Sequence, residues 1–172
     1  MERNKRIISE QEAFNKLSAL CASAEYCIAD MRRKMERWIL SDSKIENAEA
    51  VADMERADAE SKSRVISRLV KERYIDEARY AHAFVRDKFR YNRWGATRIS
   101  QELRRKHIDA KIIEDALTEI EETDNLDTLR ELIAKKRPSV KGKSDYEINC
   151  KLIRFALGRG FSMDDISKVI DD

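Results

Sequence analysis

Glycine and proline are scarce in this sequence: four and one in 172 residues, against roughly 12 and 9 at average usage. Sandwiches, barrels and dinucleotide-binding folds turn often, and their turns draw on those residues. Their scarcity excludes such folds and points to helices joined by short connections. Cysteines number only three, Cys21, Cys27 and Cys150, an odd count without metal-ligand spacing. They read as free, partly buried thiols in a reducing cytosol, Cys21 and Cys27 as core packing. No apolar run approaches the roughly 20 residues that span a bilayer, so no membrane association is expected. The basic start, Met1 to Arg6, is followed by no signal-peptide core.

Chemistry-bearing motifs are equally sparse. Without a glycine-rich phosphate loop, nucleotide hydrolysis is not expected. His82 and His107 are lone histidines. His82 borders an apolar stripe and reads as structural rather than catalytic; His107 sits at a helix end, where a cation complements the dipole. No catalytic residue, metal or cofactor is expected, and the chain reads as a non-enzyme.

What the sequence has in abundance is charge, 40% of residues against 42% hydrophobic, and a helical period. Ala13, Leu17, Leu20, Cys21 and Ala24 form one stripe, and Cys27, Ile28, Met31, Met35 and Trp38 a second. Later stripes hold Val65, Ile66, Leu69 and Val70; Ala78, Ala81, Phe84, Val85 and Phe89; and Leu126, Leu129, Leu132 and Ile133. Ser9 with Glu12, Ser43 with Glu46 and Ser144 with Glu147 read as capping boxes. Asp76, Asp109 and Ser162 read as further caps, and Tyr91 to Gly95 as a break. Gly158 and Gly160 are expected to end a helix. No segment alternates strictly enough to predict a strand.

An internal repeat organises the stripes. Ile99, Leu103, Ile108, Ile113, Ala116 and Leu117 recur, 53 residues on, as Leu152, Ala156, Phe161, Ile166, Val169 and Ile170. A weaker first copy aligns Met31 and Met35 with Ile99 and Leu103, and is interrupted by an acidic insertion at about 41–62. The expectation is an all-α chain of three tandem three-helix repeats, over 9–73, 74–122 and 123–172. Each is too small to bury its own face, so stacking makes an elongated, curved array.

Charge comes in blocks although the net is only +2. Residues 42–60 carry −5, 88–111 carry +6, 112–132 carry −7 and 133–159 carry +6. The basic blocks occupy corresponding parts of the two matching repeats. The bland reading is a solvated helix surface; the sharper one is a basic stripe suited to phosphate or to an acidic groove. Tyr91 and Trp94 could stack on bases, although Trp94 reads first as a hydrophobic plug at a helix joint.

Three segments together resemble one family. Arg73-Tyr74-Ile75-Asp76-Glu77-Ala78-Arg79-Tyr80-Ala81-His82-Ala83-Phe84-Val85-Arg86 is similar to the Gly-Tyr-Leu-Asp-Asp-x-x-Phe-Ala-x-x-x-Val segment of the RecX family, regulators of the RecA recombinase. Gly95-x3-Ile99-x2-Glu102-Leu103-x2-Lys106-x-Ile108 resembles its next segment, and Lys151-Leu152-x-Arg154-Phe155-x3-Arg159-Gly160-Phe161-Ser162 its C-terminal one. The resemblance runs over about 9–171, strongest at 64–120 and 151–170. Arg73 and His107 stand where that family usually has glycine, which relieves φ > 0 at a helix end. The insertion at 41–62 is also a departure.

The resemblance implies a cytoplasmic protein of DNA repair, recombination and the SOS response. It implies binding to RecA–DNA filaments and inhibition of ATP hydrolysis, strand exchange and co-protease activity. Single- or double-stranded DNA is a further partner, and a monomer is expected. The expected contacting set is Arg86, Arg90, Arg93, Arg98, Arg104, Arg105, Lys151, Arg154 and Arg159, acting by occlusion. The alternatives are a DNA-binding module without a recombinase partner, with steep salt dependence, and a protein-binding helical scaffold indifferent to salt.

Overall fold

Helix caps and apolar stripes decide most of the architecture. The computed structural model describes residues 6–40 and 51–170, with side chains for 6–40 and 56–170. The chain divides between Tyr80 and Ala81 into two compact units. Among the described residues no helix is long and apolar enough to cross a membrane.

In the first unit, α1 (Glu10–Cys21) starts where the Ser9 hydroxyl accepts the Glu12 N–H at 3.1 Å. It buries Ala13, Phe14 and Leu17 against Met31 and Met35 of α2 (Ile28–Met35) and Val65, Ile66 and Leu69 of α3 (Val51–Lys71). Each such side chain contributes roughly 1.5–3 kcal/mol of apolar transfer on full burial, less for Ala. The acidic stretch is helical from Val51 onward, as the start of α3. The cap read at Ser43 and Glu46 lies outside the described residues.

Two short strands correct the strand-free expectation. β1 (Arg6–Ile8) and β2 (Trp38–Leu40) pair in parallel, Arg6 opposite Trp38 and Ile8 opposite Leu40. Three residues are too few to display a period of two, and Trp38 falls in register with the preceding helical stripe. Burial supplies the signal instead: Ile8 and Leu40 enter the core while Ile7 is half exposed. The Leu40 N–H donates to the Asp58 carboxylate at 2.7 Å, and Lys62 pairs with Asp58 at 2.6 Å. An acidic residue of the inserted stretch thus satisfies a strand amide that would otherwise lack a partner.

Asp30 is a buried carboxylate of this unit. It accepts the Cys27 thiol at 3.3 Å and the Arg33 guanidinium at 2.9 Å, and it lies in the first turn of α2, where negative charge is favoured. The Tyr80 phenol packs against it. Burial, then the Asp30 charge, push that phenol's pKa well above its ordinary value. The three cysteines are free thiols, Cys27 buried and the other two partly so.

Helix α4 (Glu77–Arg90), capped by Asp76, begins in the first unit and continues into the second. There follow α5 (Ala96–Arg105), α6 (Ala110–Leu117), α7 (Glu122–Lys136), a 3-10 turn at Arg137–Ser139, α8 (Asp145–Arg159) and α9 (Met163–Ile170). The caps read at Asp109, Ser144 and Ser162 are made. Burial follows the 53-residue repeat. Ile99 and Leu152, Leu103 and Ala156, Ile108 and Phe161, Ile113 and Ile166, and Ala116 and Val169 are buried pair by pair. The protein is all-α apart from the short strand pair, and is built of three-helix repeats.

Helix ends show where glycine is missing. Gly160, at φ 92°, closes α8, while Gly158 lies inside that helix rather than ending it. Arg73, Arg93 and His107 take the same left-handed conformation at φ 60°, 53° and 62° without being glycine. Each next residue sends its N–H back into the preceding helix: Tyr74 to the Leu69 carbonyl, Trp94 to Lys88, Ile108 to Leu103. The stops at Arg73 and His107 are of the Schellman type and the one at Arg93 is a residue wider; the left-handed conformation costs a β-carbon residue about 1–2 kcal/mol.

In the second unit His82 ties α4 to α6. Its Nδ1 lies 2.6 Å from Glu119 and its Nε2 3.1 Å from Asp115, while Arg86 reaches Glu119 at 3.0 Å. Donating to two carboxylates requires both ring nitrogens to carry protons. The Glu119 hydrogen bond first, opposed by partial burial and reinforced by Asp115, raises the His82 pKa.

Two outcomes follow from these joints. His107→Gly and Arg73→Gly should each stabilise the chain by about 0.5–1 kcal/mol once glycine's larger unfolded-state entropy is subtracted, raising Tm by about 1–4 °C. Arg93→Gly should give no such gain, because its guanidinium also reaches Glu131 at 3.3 Å and the buried Thr128 hydroxyl at 3.4 Å. Calorimetry of the three variants checks this. Because the folded His82 pKa lies above the unfolded one, its contribution is complete below about pH 6.5. It is lost as pH rises through the folded value. Urea midpoints of wild type and His82→Gln, compared from about pH 5.5 to 8.5, should converge as pH rises.

Candidate functional site

The two basic blocks meet in the second unit at one backbone joint. The turn Tyr91–Gly95 leads from α4 into α5, and Gly160 leads out of α8. The Gly95 N–H donates to the Arg159 carbonyl at 2.9 Å and the Thr97 N–H to the Gly160 carbonyl at 3.1 Å. Amides left over at the start of α5 are thereby satisfied by carbonyls left over at the end of α8. The approach tolerates no side chain. A Cβ on Gly95 would overlap the Gly160 carbonyl, and one on Gly160 would overlap the backbone of Arg98.

Two arginines cross this joint in opposite directions. Arg98 Nη1, from α5, donates to the Gly158 carbonyl at 3.1 Å. Arg159 Nη1, from α8, donates to the Asn92 carbonyl at 3.0 Å. Each also covers an aromatic face: Arg98 lies 4.1 Å from the Trp94 ring centroid, and Arg159 lies 5.4 Å from that of Phe155. Lys88 approaches Trp94 at 5.5 Å and Lys136 approaches Phe155 at 5.6 Å. Such contacts are worth about 0.5–2 kcal/mol each. Trp94 is therefore half-buried under cations, whereas Tyr91 stands 82% exposed.

The other cations of the expected set divide by what they touch. Arg86 is engaged with Glu119, just past the end of α6, and Arg93 with Glu131 on α7. Arg105 pairs with Glu102 at 2.8 Å. Lys151 pairs with Glu147 at 2.6 Å and also reaches the Lys141 carbonyl at 2.8 Å. Arg90, Arg104 and Arg154 are exposed and have no hydrogen-bond or ion-pair partner among the described residues. Arg104 and Arg154 lie on the sides of α5 and α8 away from the buried pairs Ile99 and Leu103, and Leu152 and Ala156.

Sequence reasoning missed the role of Gly95, the involvement of Phe155, Lys88 and Lys136, and the carbonyls of Asn92 and Gly158 as partners. Gly95 was within reach: with four glycines in the whole chain, one directly before a helix calls for a reason. The carbonyl partners carry no side-chain signature at all. Among the described residues no three His, Cys, Asp or Glu side chains converge as a metal site.

This architecture has known counterparts. The RecX second three-helix domain matches residues 76–117 and the RecX third three-helix domain matches 122–170, together more than half of the chain. The regulatory protein RecX of Bacillus cytotoxicus is 34% identical over 110 residues, 64% of this chain and 41% of that protein. The regulatory protein RecX of Clostridium botulinum is 30% identical over 117 residues, 67% of this chain and 54% of that protein. The matched segment thus spans about half the length of these relatives. In fold, the chain is similar to a crystal structure of regulatory protein RecX, with a TM-score of 0.78 at 18% identity, covering 95% of this chain and 73% of the other. It is also similar to RecX from Lactobacillus salivarius, with a TM-score of 0.73 at 20% identity, covering 94% of both chains. Three-helix domains in this order, on a chain with these segments, place it: the chain belongs to the RecX family, whose relatives here are named regulatory proteins.

Proposed function

We propose that this chain regulates a RecA-type recombinase by binding its filament on DNA through the exposed cations of the second unit, and that it inhibits the filament's ATP hydrolysis, strand exchange and co-protease activity. The observation that carries the reading is the triplet Arg90, Arg104 and Arg154. These cations come from both matching repeats, are exposed, and have no partner among the described residues. Arginine offers a planar fork suited to phosphate and carboxylate, and a filament on DNA presents both. The family and the regulatory names of its relatives support the choice of partner.

Binding of this kind acts by occlusion. A chain lying across neighbouring subunits blocks the addition of the next one or the movement coupled to ATP hydrolysis. No group of this chain needs to react. The protein acts in the cytoplasm as a monomer, with DNA as the second component of its target.

The test is DNA-dependent ATP hydrolysis by the recombinase, preassembled on excess single-stranded DNA, with this protein titrated in. Inhibition well below one protein per recombinase is the expected result, and no effect at excess protein would reject the reading. Reversing Arg90, Arg104 and Arg154 to Glu should raise the concentration needed for half-inhibition at least about tenfold, with unchanged circular dichroism. Full inhibition by that variant would move the binding surface elsewhere.

A further inference from the structure

The crossed arginines at the joint differ in kind from the exposed triplet. We infer that Arg98, Arg159, Gly95 and Gly160 form a lock that holds the second and third repeats in one fixed relation, and that Arg98 and Arg159 are positioning residues for partner binding rather than contacts. The inference rests on the function proposed above and refines it.

Four hydrogen bonds converge within a few residues. Two are backbone to backbone, from Gly95 to Arg159 and from Thr97 to Gly160. Two are guanidinium to backbone carbonyl and run in opposite senses, Arg98 to Gly158 and Arg159 to Asn92. A guanidinium that donates to a carbonyl while lying over an indole or a phenyl ring is held in place by one N–H and one face. Its remaining donors are therefore aimed by the joint rather than by a partner.

The rest of the unit says what such a lock is for. Arg104 lies on α5 of one repeat and Arg154 on α8 of the other. Two weak contacts on separate bodies reinforce one another only when their spacing is held, because the second then binds at a high effective concentration. A loose joint would leave the same cations with less combined affinity. Arg98 and Arg159 thus serve the binding surface through the distance they fix.

The distinguishing variant is Gly95→Ala, which removes no charge and touches none of the exposed cations. It drives a methyl group into the Gly160 carbonyl. Three measurements on the full chain decide the matter: amide exchange at Gly95 and Thr97, far-ultraviolet circular dichroism, and affinity for the recombinase filament preassembled on single-stranded DNA. Faster exchange at the two amides, retained helicity and an affinity loss of about tenfold or more are expected. Arg98→Gln/Arg159→Gln should show the same three signs, and it serves where Gly95→Ala does not fold. If exchange accelerates while filament affinity stays at the wild-type value, positioning is overturned. Affinity lost by the arginine double variant but not by a folded Gly95→Ala assigns the arginines to direct contact and also overturns it. Exchange unchanged in both variants removes the lock itself. If the wild-type chain does not bind the filament, the functional reading fails, whereas the exchange measurements report on the lock independently.

Discussion

The close approach of Gly95 to Gly160 is the constraint on which the second unit depends. Helix ends are where a helical protein keeps its unsatisfied backbone groups, four N–H at one end and four C=O at the other. Side-chain caps and water usually deal with them separately. Here the start of α5 and the end of α8 deal with each other, and they can do so only because neither residue carries a β-carbon. The geometry also sets the macrodipoles favourably, a positive N-terminus against a negative C-terminus. Once the backbones meet at hydrogen-bonding distance, the guanidinium groups of Arg98 and Arg159 come within reach of carbonyls across the joint, and Trp94 and Phe155 offer them flat faces. A single β-carbon would remove the first contact and, with it, the reason for the others.

The same accounting for backbone groups explains features that composition alone would label as surface charge. Asp58 belongs to an acidic stretch that invites a solvated reading, yet it accepts the Leu40 amide and holds Lys62. Asp30 is buried but hydrogen-bonded by the N-cap Cys27, by Arg33 and by the Tyr80 phenol. A buried carboxylate is tolerated when hydrogen bonds replace its water. Asp58 serves a backbone amide and Asp30 serves side chains, so neither is merely solvated surface charge.

Local physics made most of the fold legible. Ser9, Asp76, Asp109, Ser144 and Ser162 announce helix starts because a cap is a contact between residues two or three apart. The 53-residue repeat was readable because each of its positions faces the core, and burial follows it pair by pair. Arg73 and His107 stood out against a family pattern, and their positive φ has the same cause as the glycine they replace. The strands were not legible: three residues carry too little period, and their pairing joins positions 32 apart in sequence. The site was legible only as a pair of charged blocks. Which arginine is committed and which is open depends on carbonyls and carboxylates up to 67 residues away. Nothing in the local sequence of Arg98 distinguishes it from Arg104.

That difference also shows what a charge count can and cannot say. Arg86, Arg93, Arg105 and Lys151 face carboxylates, so their charge is locally compensated. Arg98 and Arg159 face carbonyls, which orient the guanidinium without neutralising it. They therefore still contribute to the long-range positive field, although one N–H of each is committed at short range. Steering and contact are separate roles, the first acting over about a Debye length and the second at hydrogen-bond distance. In the function proposed above these roles fall to different arginines. Those at the joint would supply field and spacing, and Arg104 and Arg154 on the outer faces of α5 and α8 would make the contact.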